Sequence, residues 1–283
     1  MKLKYLGTAA AEGIPALFCK CETCKKSREE GNRSFRTRSQ ALINDKILID
    51  FPADSLMHFH KYNIDITDIH TLVITHSHAD HFYPIDLTYR STPYATGVDD
   101  TLHVYSNHAV IDSCNDFFKN KNMEQKDTLE FTYVPPFIPF ESDGVTFTPL
   151  LANHKKDEDC YIYLMEQDKK RILYAHDTGY LPKKSLEYLK DKRCSLVSLD
   201  CTMGKYSDGN NHMGLPNIDS FVEQLEKINA ISPSCKIVLN HFSHNGNLTY
   251  NESLEAVNDK GYIISYDGME IEIEIDNAVN LKL

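Results

Sequence analysis

The chain has 283 residues, of which 41% are hydrophobic and 25% charged, an ordinary balance for a protein with a packed core. Its formal net charge of −11 disfavours a protein that holds long nucleic acid by the phosphates, since that contact needs Lys and Arg. We find neither the apolar run of a signal peptide nor the roughly 20 apolar residues of a membrane helix. The composition therefore predicts a cytoplasmic protein without a membrane partner.

Short apolar runs typical of β-strands recur along the whole chain. Tight polar turns at Asn44–Asp45 and around Asp168 predict two β-hairpins. The predicted strands are residues 2–6, 40–43, 46–51, 71–75, 102–106, 130–134, 145–151, 160–165, 171–176, 195–200, 236–241 and 262–266.

Four segments predict helices, at residues 54–63, 110–120, 182–193 and 217–229. In the helix predicted at residues 217–229, apolar residues recur at helical spacing and Asn217 is the expected N-cap. In the helix predicted at residues 182–193, Pro182 stands in the first turn. We find no internal repeat and no linker rich in Ser, Gly and Pro. The pattern predicts one domain over residues 1–283, an α/β fold in which helices cover sheets.

The segment "THSHADH" at residues 75–81 follows directly on the apolar run "TLVI". His76 and His78 stand two residues apart on an extended loop, so both imidazoles can point at one ion. Asp80 and His81 follow at once and can serve a second ion beside the first. A single polar loop rich in histidine is the alternative interpretation.

Three further candidates stand at the ends of apolar runs downstream: His154 after "TPLLAN", Asp177 after "ILYAH" and His241 after "KIVLN". Each alone is compatible with a polar residue that caps a strand. Together with the histidine loop they predict a site for two divalent metal ions, because strand ends deliver side chains to a common rim. Histidine and aspartate accept zinc, manganese or iron.

The run "CKCETC" places Cys19, Cys21 and Cys24 in one compact loop. Thiolates are good ligands for zinc, which takes four donors in a closed structural site. The alternative is three free thiols, one of them reactive. The other cysteines stand in apolar settings and are expected to be small core residues: Cys114, Cys160, Cys194, Cys201 and Cys235.

"THSHADH", with "GTAAAEGIPA" before it and "HDTG" and "NHFSH" after it, resembles the metallo-β-lactamase fold superfamily. Within it, the cysteine cluster with "HFSH" is similar to the branch of PhnP-type phosphoribosyl cyclic phosphodiesterases. The similarity extends from Gly7 to "YDGMEI" at residues 266–271. This resemblance implies a four-layer αββα sandwich with the metal ions at one edge.

The resemblance also implies roles for single residues. His76, His78 and His154 would hold the first ion, and Asp80, His81 and His241 the second. Asp177 would bridge the two ions, and Asp50 would support the metal loop. His244 would complete a structural zinc site with Cys19, Cys21 and Cys24. His212, in "GNNHMG", would donate a proton to the leaving group, so that the catalytic residues are Asp80, Asp177 and His212.

The resulting hypothesis is a metal-dependent hydrolase of phosphoric diesters, with two active-site ions (zinc or manganese) and one structural zinc ion. Its expected partner is a small or cyclic phosphodiester substrate, and a homodimer stays open. The alternatives are a nuclease of the tRNA 3′-processing type, an oxidoreductase resembling the pyrroloquinoline-quinone biosynthesis protein, and a non-catalytic metal-binding scaffold.

Several residues near these motifs receive weaker assignments. Asp200 and Thr178 are expected to steady the metal loops, and His176 to be structural or to support a ligand. Segment 82–100 is expected near the site entrance. Aromatic residues beside the ligands are candidates for a sugar or base pocket: Phe82, Tyr180 and Phe242. Five histidines are expected on the surface or on helix faces: His58, His60, His70, His103 and His108.

Overall fold

The computed structural model describes residues 1–120 and 128–273, which contain fourteen strands and six α-helices. The strands are β1 (Lys2–Gly7), β2 (Gln40–Ile43), β3 (Ile47–Ile49), β4 (Thr71–Val73), β5 (Leu102–Ser106), β6 (Leu129–Tyr133), β7 (Phe140–Ser142), β8 (Val145–Leu151), β9 (Tyr161–Gln167), β10 (Lys170–Ala175), β11 (Cys194–Asp200), β12 (Ile231–Asn240), β13 (Ile263–Ile264) and β14 (Glu270–Glu272). The helices are α1 (Glu22–Glu30), α2 (Ser55–Tyr62), α3 (His108–Asn120), α4 (Lys183–Leu189), α5 (Leu215–Lys227) and α6 (Tyr250–Ala256).

The strands form two seven-stranded sheets, each with a parallel and an antiparallel part. The first has the order β14-β1-β2-β3-β4-β5-β6 and the second the order β13-β12-β11-β10-β9-β8-β7. The connections β3-β4-β5-β6 and β10-β11-β12-β13 are parallel, whereas the other neighbours are antiparallel. Parallel neighbours end at the same edge of a sheet, and this edge carries the polar residues described below.

The two sheets pack face to face, and helices cover both outer faces. Along β3, Ile47 and Ile49 join the cluster between the sheets, while Leu48 points to the opposite face and packs with Phe59 of α2. On the second sheet, Leu173 packs with residues of α5 in the other outer cluster. This alternation with period two gives each strand two apolar faces. The predicted αββα sandwich is confirmed.

Both predicted hairpins are present, and their turn residues explain them. Asn44 and Asp45 join β2 to β3 with φ of 51° and 59°, and Asp168 and Lys169 join β9 to β10 with φ of 49° and 65°. Two consecutive left-handed residues make the type I′ turn whose twist matches a β-hairpin.

The four predicted helices also form, with one wrong cap. Helix α5 begins at Leu215 with Gly214 as its N-cap, so Asn217 lies inside the first turn. There its Oδ1 accepts a hydrogen bond from the N–H of Gly214 at 3.2 Å. Pro182 precedes α4 as the N-cap rather than lying inside the first turn. Among the described residues, no helix is long and apolar enough to cross a membrane.

Candidate metal centre

The polar residues singled out in the sequence meet at one edge of the sandwich, where strands end. Asp50 follows β3, Asp177 lies two residues beyond β10, and His241 follows β12. All three have left-handed backbone conformations, with φ of 65°, 48° and 60°. Such conformations are uncommon outside glycine and turn the chain sharply after each strand. Asp200 is the last residue of β11 and completes the row.

His76, His78 and His154 form the first cluster, as the resemblance predicted. His78 Nδ1 lies 3.0 Å from His76 Nε2 and 3.1 Å from His154 Nε2. A single hydrogen on His78 Nδ1 cannot serve both neighbouring ring nitrogens. A metal cation bound by the lone pairs of all three nitrogens explains both short distances. The donor set therefore fits a divalent metal ion.

Asp80, His81, Asp177 and His241 form the second cluster, with one donor atom of each within 4.8 Å of the others. The Nε2 atoms of His81 and His241 are 3.2 Å apart. Asp177 reaches both clusters, because its Oδ2 lies 2.6 Å from His81 Nε2 and 3.4 Å from His76 Nε2. This position between the clusters suits a carboxylate shared by two ions.

Asp50 holds the metal loop from behind. Its carboxylate is fully buried, contacts His81 Nδ1 at 2.6 Å and accepts hydrogen bonds from the N–H and the hydroxyl of Thr75 at 2.8 and 2.9 Å. The contact to Nδ1 leaves His81 Nε2 to face Asp177. A carboxylate on the far nitrogen of an imidazole orients a metal-binding histidine in this way.

Glu158 holds the other side of the same loop, and the sequence analysis missed it. Its side chain is only 1% exposed, and it accepts hydrogen bonds from the Ser77 N–H at 2.8 Å, the Ser77 hydroxyl at 2.6 Å and Asn107 Nδ2 at 2.9 Å. Lys155 Nζ lies 3.2 Å away. No recognisable motif surrounds Glu158 in the sequence. The one signal that could have identified it is its position among acidic loop residues near His154.

Asp200 and His212 form a pair beside Asp177. His212 Nδ1 lies 3.1 Å from Asp200 Oδ2 and 3.4 Å from Asp177 Oδ1. Burial alone would lower the pKa of His212, but the charge of Asp200 outweighs it and raises that pKa to about 9. Asp200 also accepts hydrogen bonds from the N–H groups of Asp177, Thr202 and Met213, so it steadies this wall as expected.

Burial and mutual charge reinforce each other at His76 and oppose each other at His81 and Asp177. Burial, together with the charge of His81, lowers the pKa of His76 well below its usual range. Burial would likewise lower the pKa of His81, but Asp50 and Asp177 raise it well above that range. Burial would raise the pKa of Asp177, yet His241 and His81 keep it well below its ordinary value. Asp177 is therefore an ionised carboxylate at neutral pH.

The cysteine cluster lies where the resemblance predicted, with one donor atom each of Cys19, Cys21, Cys24 and His244 within 4.8 Å of the others. His244 Nδ1 is 3.5 Å from Cys19 Sγ and 3.4 Å from Cys21 Sγ. Cys21 caps α1, and although burial would raise its pKa, the Cys24 N–H and His244 lower that pKa to about 6. Three sulfurs and one nitrogen fit a closed tetrahedral metal site.

A cavity of about 280 Å³ opens over the histidine and aspartate clusters. It is lined by Ala10, Ala11, Glu12, His78, Asp80, His154, Asp177, Thr202, Met203, His212, His241, Ser243 and Asn245. None of the three aromatic candidates lines it: Phe82 and Phe242 are buried in the core, and Tyr180 packs on Phe221. Segment 82–100 does not line this cavity either; it borders a separate apolar cavity beside α2.

Two histidines outside the clusters are buried. His58 lies on helix α2, one of its two predicted settings, but it is buried rather than exposed; its Nδ1 contacts Gln40 Oε1 at 2.7 Å, and its Nε2 contacts Thr37 Oγ1 at 2.6 Å. His176 contacts Ser198 Oγ at 2.7 Å. Cys235 is only partly buried, unlike the other four cysteines expected in the core.

The fold and this edge site define the class of the protein, the metallo-β-lactamase fold. A diphosphatase of the PhnP family is similar, with 23% identity, 95% of this chain and 96% of that chain covered, and a TM-score of 0.75. Zinc-bound PqqB from Methylobacterium extorquens has 15% identity, coverage of 96% and 100%, and a TM-score of 0.75. The short form of human tRNase Z has 16% identity, coverage of 97% and 100%, and a TM-score of 0.62.

A match to the model of a sequence family assigns the chain more specifically within this fold class. The model of the family described as anti-Pycsar protein Apyc1 matches residues 37–253, and the chain belongs to that family. The matched range contains both histidine and aspartate clusters and His244, but it begins after the three cysteines. Among curated proteins, no sequence matches this chain.

Proposed function

We propose that this protein is a metal-dependent hydrolase that cleaves a small or cyclic phosphodiester. One observation carries the proposal: seven side chains from four separate chain segments converge on two adjoining donor clusters joined by Asp177. When bound, a pair of divalent ions lowers the pKa of water and withdraws negative charge from a phosphate. Zinc and manganese both suit these ligands.

The residues of the two clusters have separate tasks in this proposal. His76, His78 and His154 would hold one ion, Asp80, His81 and His241 the other, and Asp177 would contact both. Asp50 and Glu158 keep the loop of residues 75–81 in place from its two sides. A loop fixed in this way loses little conformational freedom when substrate binds, which favours catalysis.

His212 is the proposed proton donor. Its Nδ1 faces Asp200 and Asp177, and its side chain is 24% exposed and lines the cavity. Among the described residues Nε2 has no hydrogen-bond partner, so it is available to substrate. Water attacks phosphorus and releases a proton to solvent, the P–O bond to the leaving group breaks, and the leaving oxygen takes its proton from His212 Nε2; His212 then regains a proton from solvent.

The cysteine cluster has a structural role in this proposal, as a zinc site. His244 stands three residues after His241, so a zinc ion bound there would fix the loop that presents His241. It would also hold the N-terminal loop against the site, since Cys19, Cys21 and Cys24 lie beside His244.

The alternatives share the fold and lack a specific observation in their favour. Human tRNase Z and PqqB are both similar to this chain, so the fold does not separate a nuclease or an oxidoreductase from a phosphodiesterase. The net charge of −11 disfavours binding of a long RNA, because contacts to the phosphates need Lys and Arg.

The test is hydrolysis of bis(p-nitrophenyl) phosphate by metal-stripped protein titrated with Mn²⁺ and then with Zn²⁺. We expect metal to restore turnover and Asp177→Ala to abolish it, whereas Asp259→Ala, at an exposed position outside the site, retains it. No turnover by the unaltered protein with both positions filled, as counted by elemental analysis, would reject the phosphodiesterase proposal.

A further inference from the structure

The cavity over the metal clusters has a second wall that the proposed hydrolysis does not use. Three short loops form it, at residues 10–12, 202–203 and 243–245. Its one acidic side chain among the described lining residues is Glu12, which is 31% exposed. The other acidic lining residues, Asp80 and Asp177, belong to the metal clusters.

Glu12 is held in place through one of its two carboxylate oxygens. Oε1 accepts a hydrogen bond from the Ser243 hydroxyl and lies 3.5 Å from His244 Nε2. Within residues 1–120 and 128–273, Oε2 has no hydrogen-bond donor near it. The arrangement leaves an oriented, unused acceptor in the substrate cavity.

A carboxylate repels the phosphate of a substrate and attracts groups that carry hydrogen. An ionised carboxylate only accepts hydrogen bonds, and such bonds are about twice as strong as neutral ones. Glu12 must therefore face the part of the substrate that is not phosphate. A hydroxyl or an amino group there can donate a hydrogen bond to the free oxygen.

On the basis of the proposed function, we infer that Glu12 forms a subsite that selects phosphodiesters whose ester group carries hydroxyl or amino donors, as the sugar and base of a nucleotide do. Asn245, exposed at the same wall, adds a side-chain amide to this subsite. A site whose acceptor pairs with a donor of the substrate favours that substrate over analogues without the donor.

The test compares two substrates on the metal-loaded protein. Bis(p-nitrophenyl) phosphate has no hydroxyl or amino donor, whereas adenosine cyclic monophosphate has a ribose hydroxyl and a base amino group. In Glu12→Gln we expect KM for the cyclic nucleotide to rise at least tenfold with kcat nearly unchanged. For bis(p-nitrophenyl) phosphate we expect kcat/KM to change less than twofold.

Glu22→Gln is the matched control, because Glu22 is exposed at the start of α1 and, within the part of the chain that the structure describes, its ion pair is with Lys25. We expect it to leave both substrates unaffected. Metal content and thermal unfolding of Glu12→Gln are measured alongside, since Glu12 also touches the zinc-ligand candidate His244.

Two results would overturn the subsite. An equal loss for both substrates, with lowered metal content, would show that Glu12 only positions His244. No loss for the cyclic nucleotide would show that Oε2 meets no substrate donor. The proposed function fails separately, if the unaltered metal-loaded protein hydrolyses neither phosphodiester.

Discussion

Glu158 accepts hydrogen bonds from both the N–H and the hydroxyl of Ser77, the residue between His76 and His78. The two residues are 81 positions apart in the chain, and Glu158 lies in the same loop as His154. One buried carboxylate therefore ties together the two loops that supply the first histidine cluster.

Glu158→Gln should weaken metal binding at that cluster. Glutamine offers one acceptor oxygen in place of two, so the Ser77 hydroxyl or N–H loses its partner and the loop loosens. Partners of this kind are worth about 10- to 100-fold in metal affinity, and we expect a loss of that order. Competition titration with a chelating dye measures it. Glu187→Gln, at a largely exposed helix position, is the control, and equal affinities for the two variants would contradict this role of Glu158.

Cys21→Ser should lower both thermal stability and metal occupancy at the second histidine and aspartate cluster. Loss of one thiolate opens the proposed zinc site, and the loop from His241 to His244 is then no longer held at one end. Thermal unfolding and metal analysis measure the two effects. Cys235→Ser, at a partly buried thiol outside the cluster, should show neither effect. Unchanged melting and metal content in Cys21→Ser would be incompatible with the tether.

His212→Gln should slow hydrolysis in a way that depends on the leaving group. A substrate with an alkyl leaving group needs the proton, and we expect kcat to fall about 10²- to 10⁴-fold. p-Nitrophenolate leaves as a stable anion, so its release should slow far less. His103→Gln, at a partly exposed strand position far from the clusters in sequence, controls for loss of a histidine. A uniform loss over a series of leaving groups would exclude His212 as the proton donor.

His58 should make the protein less stable in acid. Burial lowers the pKa of His58 from its ordinary value of 6.5 to about 4. Between these two pH values the imidazole is protonated in the unfolded chain and neutral in the folded protein. Stability therefore falls with decreasing pH in that window, by about 3 kcal/mol from this residue. We expect urea unfolding of the metal-free protein to show a smaller pH dependence in His58→Gln. The exposed His60→Gln on the same helix should match the unaltered protein, and the same slope in all three proteins would contradict the prediction.

The local pattern of residues was sufficient for the metal loop, for twelve of the fourteen strands and for four of the six α-helices. It did not predict β7, β14, α1 or α6. Apolar runs with period two, left-handed turn residues such as Asn44 and Asp45, and helical spacing in α5 depend on neighbours in the chain. "THSHADH" was readable for the same reason, because His76 and His78 are brought together by the geometry of a single loop. The residues that lie beside these two histidines in the fold, His154, Asp177 and His241, were found through the resemblance and through their places at strand ends.

What the sequence by itself determined is therefore the order of most strands and turns and the candidates for the donor residues. Only the tertiary structure decided that Glu158 reaches Ser77, that His58 is buried against Gln40 and Thr37, and that Phe82 enters the core instead of lining the cavity. The physical reason is that periodicity and turn geometry act between neighbours in the chain. Burial and hydrogen-bond partners depend on which segments the packing of two sheets and their helices brings together.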